Sequence, residues 1–134
     1  MATQEERERF LREHRLAVVA TVRRDGRPQL TPVYYAWQEG RVIISTTRSR
    51  FKALNARRDP RVTLCALGEE PPFPYQTVYG RAEVLEEGAV DVMMLIGERM
   101  LGRPIDESQR PAVEERARQE GRVVLRITPE EYSP

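Results

Sequence analysis

Leu16–Val22 (LAVVATV) constrains the fold more than any other segment. A nearly continuous apolar run rich in β-branched residues reads as a strand covered on both faces. Asp25-Gly26 follows, a dipeptide suited to the positive φ angles of a tight hairpin. Gln29–Trp37 resumes as a strand, and Gly40 marks a second turn before Arg41–Thr46 (RVIIST). These three segments predict an antiparallel meander. Val62–Leu67, Gln76–Leu85 and Arg122–Ile127 have the same character and bring the count to six. Along Gln76–Leu85, alternation places Thr77, Tyr79, Arg81 and Glu83 on one face. Val78, Gly80, Ala82 and Val84 form the other, which is small and apolar and therefore packs closely.

Four helices are predicted between the strands. Residues 3–14 carry only Phe10 and Leu11 as apolar docking residues. Ser49 suits the N-cap of Arg50–Arg57, which stops before Asp59-Pro60. Ala89–Leu101 has Val90, Met93, Met94, Gly97 and Leu101 at helical spacing, a buried stripe. Pro111–Glu120 takes proline in its first turn, with Glu114 and Arg118 as an i,i+4 pair. Gly68–Pro74 reads as an exposed connection and the tail from Thr128 as irregular. Small antiparallel sheets avoid exposed edges by closing, so the expected fold is mainly β, a six-stranded antiparallel barrel with peripheral helices. At 134 residues the chain is expected to form one domain, 1–134.

Composition excludes several chemistries. One histidine, His14, and one cysteine, Cys65, cannot supply a zinc site of the usual Cys/His type. The same single histidine leaves no Ser/His/Asp arrangement, and no paired carboxylates stand out as general acid and base. Neither a P-loop nor a Rossmann glycine signature occurs. With 22 Lys+Arg against 21 Asp+Glu, nothing favours bulk nucleic-acid binding. No apolar stretch reaches membrane-spanning length, and Met1–Arg15 lacks the apolar block of a secretory signal. A cytoplasmic setting is expected, with Cys65 as a small core residue of the fourth strand.

Four features exceed what packing requires. Pro32 within Gln29–Val33 cannot donate to a sheet ladder, so it demands an edge, a bulge or an unpaired stretch. Such a stretch offers Thr31, Pro32 and Val33 to a flat heterocycle, or is simply an ordinary sheet edge. Ser45, Thr46, Thr47, Arg50 and Lys52, the chain's single lysine, gather where a strand runs into a helix start. Hydroxyls, helix-terminal amides and cations suit a phosphate; they equally suit a capped, solvated helix. Tyr75, Gln76 and Tyr79 follow a proline-rich loop, where aromatics stack on a ring or pack in a core or dimer contact. Tyr35 and Trp37 share one strand face with Tyr34 opposite, which favours a core role for one face.

Taken in order, the N-terminal helix, Leu16–Thr21, Asp25–Val33, Arg50–Asn55 and Asp59–Val62 resemble the pyridoxamine 5′-phosphate oxidase-like flavin-binding split barrels. Within that group the pattern is similar to the deazaflavin-dependent branch that uses coenzyme F420. The resemblance runs from about Phe10 to Ile127. It implies a split β-barrel homodimer with two cofactor grooves between protomers. It further implies that Thr31, Pro32 and Val33 lie against the cofactor ring. Ser45, Thr46, Arg50 and Lys52, beside Thr47, then hold the phosphate end of its tail, and Tyr75, Gln76 and Tyr79 reach over from the second protomer. The implied activity is hydride transfer between reduced coenzyme F420 and a small electron-poor organic substrate, with no catalytic side chain named. FMN is the alternative cofactor, as an oxidase or flavin reductase, and a non-catalytic flavin- or deazaflavin-binding protein is the alternative role.

Overall fold

The computed structural model describes residues 2–134, and its elements follow in chain order. They are α1 (Gln4–Glu13), β1 (Leu16–Val22), β2 (Pro28–Tyr34), β3 (Ala36–Gln38), β4 (Arg41–Thr47) and α2 (Phe51–Arg58). After these come β5 (Arg61–Leu67), β6 (Tyr75–Leu85), α3 (Ala89–Leu101), α4 (Arg110–Glu120) and β7 (Arg122–Ser133). The seven strands form one antiparallel sheet in the order β2-β1-β5-β6-β7-β4-β3, so β2 and β3 are its two edges.

Seven strands replace the expected six because the predicted Gln29–Trp37 strand breaks at Tyr35. The Tyr35 amide makes the last rung on the β1 side, donating to the Arg15 carbonyl at 2.8 Å in the register that pairs Leu16 with Tyr34, before Ala36 pairs with β4. Its phenol, fully buried, donates to the Leu11 carbonyl at 2.8 Å. Burial raises the pKa of that hydroxyl well above the usual tyrosine value. Two backbone carbonyls of the α1–β1 region thus hold the corner where the chain crosses from one sheet edge to the other. The predicted meander is therefore split: β1 pairs with β2, whereas β3 and β4 form a separate hairpin that joins the sheet through β7.

Other sequence expectations also shift. The tail is regular: β7 runs on to Ser133 and continues pairing with β6 through a bulge at Tyr79/Gly80. Arg7, buried on α1, donates to the Gln76 side chain at 3.2 Å and to the Ser133 carbonyl at 2.8 Å, which tethers that tail. The N-cap of α2 is Arg50, with no side-chain cap from Ser49. The buried stripe of α3 is Ala89, Val92, Met93, Met94 and Ile96, leaving Leu101 exposed and Val90 half-buried. Arg118 pairs with Glu115 instead of Glu114.

Inside the curl of the sheet, Ala17, Val19, Tyr35, Val42, Ile44, Leu64, Val78, Leu125 and Ile127 form the main core, closed at one end by Leu11 of α1. A second cluster lies outside it, where Ala89, Val92 and Ile96 of α3 cover Ala36, Ile43 and Val124. Among the described residues, no helix packs a comparable cluster on the outer face of β2-β1-β5-β6, where α3 reaches Tyr34 at the end of β2. Leu16–Val22 accordingly alternates, with Ala17, Val19 and Thr21 buried and Leu16, Val18, Ala20 and Val22 only half-buried. Cys65, expected in the core, lies half-buried on this outer face opposite Val18. One row across it reads Leu30, Ala20, Thr63 and Tyr79, with Leu30 60% and Tyr79 43% exposed.

Gly80 meets the close packing expected of its face. A Cβ there would fall far inside contact distance of the Thr128 carbonyl across the bulge. Gly80→Ala is therefore expected to destabilise the fold by about 1–3 kcal/mol through overpacking, read from the shift in urea unfolding midpoint.

Candidate functional site

A cleft of about 460 Å³ opens where the sheet is split. Thr31, Pro32, Val33 and Tyr34 line one side. Successive strand residues point to opposite faces, so four in a row along one wall means that the cleft runs along the free edge of β2. Pro32 has no N–H to offer a further strand, which accounts for its tolerance at an edge. Opposite stand Met93, Ile96, Gly97 and Met100 of α3. That helix is anchored at its far end by Arg99, which donates to the Tyr35 carbonyl at 3.1 Å and to the carbonyls of Arg12 and His14. Arg15 returns the contact through two 3.0 Å bonds to the carbonyls of Arg99 and Met100. The apolar wall is thereby fixed to the corner that splits the sheet.

The other end of the cleft is cationic. Ser45 and Thr46 from the end of β4 meet Arg50 and Lys52 from the start of α2, with Arg122 at the start of β7 and Arg116 of α4 alongside. Two groups there are unengaged. Lys52 is 7% exposed and has no carboxylate or hydrogen-bond partner among the described residues. Burial, with Arg50 and Arg122 adding repulsion, lowers its pKa from the ordinary lysine value. The Thr46 hydroxyl is the single buried side-chain polar atom without a hydrogen-bond partner among the described residues. A largely buried lysine with no counter-charge, lining the same cleft end as an orphaned hydroxyl, is costly in an isolated fold, and an anion supplied from outside offsets both penalties. The donor set fits a phosphate ester: hydroxyls and cations close to the side-chain-uncapped start of α2.

Seven of the sequence-predicted residues meet in this cleft: Thr31, Pro32, Val33, Ser45, Thr46, Arg50 and Lys52. Thr47 is adjacent but does not line it; the Thr47 carbonyl accepts the Arg50 amide at 3.1 Å. Tyr75, Gln76 and Tyr79 lie on β6, three strands from β2 and about 14 Å away at the usual strand spacing. Tyr75 and Tyr79 are exposed on the uncovered outer face. Gln76 points the other way, buried, donating to the carbonyls of Thr77 and Ser133 and accepting from Arg7. Its side chain is thus committed to the C-terminal strand. Sequence reasoning missed Arg122, Arg116, Glu120 and the α3 wall. Arg122 reaches the site only through the register that pairs it with Thr47, and the helical spacing of Met93 marks it as part of a buried stripe with no sign of the cleft.

The match to known proteins agrees with this geometry. Residues 3–134 match the family model described as pyridoxamine 5′-phosphate oxidase. The chain belongs to the pyridoxamine 5′-phosphate oxidase family. Among solved structures of similar fold is the conserved protein Rv2991 of Mycobacterium tuberculosis, at 29% identity and TM-score 0.83, covering 98% of this chain and 83% of that one. A protein described as an F420 reductase is 24% identical with TM-score 0.73 and 94% coverage of both chains. An FAD-binding protein of Mesorhizobium loti is 19% identical with TM-score 0.67, covering 98% of this chain and 92% of that one. The half-barrel, split between β2 and β3, is the fold of this oxidase family.

The unpaired lysine has a measurable signature. Because its pKa in the folded state lies below the unfolded value, protonated Lys52 opposes folding at neutral pH; the penalty fades as pH rises towards the ordinary value of 10.5. Lys52→Met is expected to stabilise the ligand-free chain at pH 7. The gain should shrink as pH approaches 10.5, as followed by urea denaturation across pH.

Proposed function

We propose that this chain is a reductase that uses coenzyme F420, passing a hydride between the reduced deazaflavin and a small electron-poor organic substrate. The observation that carries the reading is the buried, unpartnered Lys52 beside the orphaned Thr46 hydroxyl, at the end of a cleft walled by a proline-bearing sheet edge. A planar ring against Thr31–Val33 and a phosphate at Arg50 and Lys52 use the two halves of that cleft as they stand. Met93, Ile96 and Met100 then exclude water from the ring's surroundings, and the backbone edge of β2 orients it. Hydride transfer is chemistry the bound cofactor supplies, and the chain's part is binding, orientation and dryness. The sequence resemblance favours the deazaflavin. FMN is the second reading, since its ring and phosphate suit the same two halves.

The second element of the proposal is a homodimer. The outer face of β2-β1-β5-β6 lacks the helical cover its counterpart receives from α3, and it presents Leu30, Tyr75 and Tyr79. Pro32 belongs both to that face and to the cleft, so a partner seated there borders the cleft. Tyr75 and Tyr79 of one copy are then available to the ring held by the other. A sequence that reads as covered on both faces at Leu16–Val22 supports this, because a second chain provides the missing cover.

Two experiments test these readings. Purified protein titrated separately with coenzyme F420 and with FMN is expected to bind the former. Arg50→Ala and Lys52→Ala should each weaken that binding by about 1.5–3 kcal/mol, the scale of a charge-assisted bond. Undiminished affinity in both variants overturns the phosphate assignment. Leu30→Glu, on the uncovered face, is expected to convert the dimer to monomer in sedimentation velocity and to lower cofactor affinity with it.

A further inference from the structure

Glu120 stands apart in the cationic end of the cleft. It is the single carboxylate among the lining residues, beside Arg50, Lys52, Arg116 and Arg122. It is also the last residue of α4, followed by Gly121 in the left-handed conformation at φ 64°. The C-terminal end of a helix dipole is negative, so a carboxylate there is disfavoured by the helix itself. What holds it is the arginine cluster. Arg122 Nε donates to Glu120 Oε1 at 2.9 Å, and Arg116 Nε lies 3.7 Å from the same oxygen. Those two arginines and Arg50 keep the Glu120 carboxyl below the usual carboxylate range.

We propose that Glu120 is a built-in counter-anion that biases this corner towards a singly charged phosphodiester over a doubly charged phosphomonoester. The inference rests on reading the corner as the seat of the cofactor's phosphate. Arg122 is already engaged by Glu120 and, at 3.5 Å, by the Ser45 hydroxyl, so an arriving phosphate finds Lys52, Thr46 and Arg50 free and Arg122 neutralised. Coulomb repulsion from Glu120 scales with the charge of the arriving group. A dianion therefore meets twice the repulsive energy of a monoanion, and the penalty in its binding constant is the square of the monoanion's. A carboxylate that only holds Arg122 in place would instead cost both esters affinity when removed, the dianion more than the monoanion.

The test compares the native protein with Glu120→Gln, which keeps the size and the acceptor oxygen. Binding of phenyl phosphate, a dianion at pH 8, and of methyl phenyl phosphate, a monoanion, is measured by calorimetry at fixed ionic strength. The expected result is a gain of about threefold for the diester and about ninefold for the monoester in the Gln variant. Equal changes for the two esters, a loss for both, or no binding of either ester to either protein overturns the inference. Titrations of the native protein with coenzyme F420 and FMN run in parallel. The expected ester pattern without binding of either cofactor overturns the proposed function and leaves the role of Glu120 standing. Cofactor binding with no difference between the esters overturns Glu120 alone.

Discussion

Everything in this molecule that resembles a site follows from the corner at Tyr35. The Tyr35 N–H bonds to Arg15 and its buried hydroxyl to Leu11, so the chain leaves one sheet edge and begins the other without pairing across the gap. Beyond Tyr35 the chain turns from β1 to β4, so β2 and β3 pair with different neighbours and the sheet stays open between them. A closed barrel of this size fills its interior with side chains. The split leaves an edge, and the edge borders a cleft. Arg99 and Arg15 then fasten α3 to the same corner, which makes the width of the cleft a property of rigid elements and not of loops.

The charged end of the cleft shows a fold carrying local instability. A buried lysine without a counter-charge and a hydroxyl without a partner both oppose folding. Two α2 residues, Lys52 and Asn55, are both buried, yet Asn55 is satisfied by the Thr21 hydroxyl at 3.1 Å and Lys52 by nothing among the described residues. Sites of this kind break the rule that local choices agree with the global fold, and such breaks gather where ligands bind. A phosphate bound at Lys52 would raise stability by an amount that grows with the logarithm of its concentration above its dissociation constant.

Strand identity was legible from short-range pattern, because alternation, β-branching and the Asp25-Gly26 and Gly40 turns are local properties. Partnership was not. Nothing near Tyr35 marks the change of partner, since its amide still bonds to Arg15 on the β1 side while Ala36 already pairs with Ile43 of β4. The length of β7 was hidden because Thr128–Ser133 is held by β6 and by a buried Arg7, both distant in sequence. The site divides the same way. Thr31–Val33 and Ser45–Lys52 lie in compact motifs and were read directly, whereas Arg122 and Glu120 enter through the pairing of β7 with β4. Gln76 was grouped with Tyr75 and Tyr79 by proximity in sequence, and strand alternation turns its side chain to the opposite, buried face.

Pro32 also governs how copies of the chain can meet. A naked sheet edge is a template on which a foreign strand can add, and repeated addition makes a fibre. β2 is such an edge, kept open because the cleft lies beside it. A proline at its centre withholds an amide that an incoming strand would need. The imino ring therefore lets the protein leave one margin of its sheet unprotected by any covering strand while withholding an invitation to polymerise.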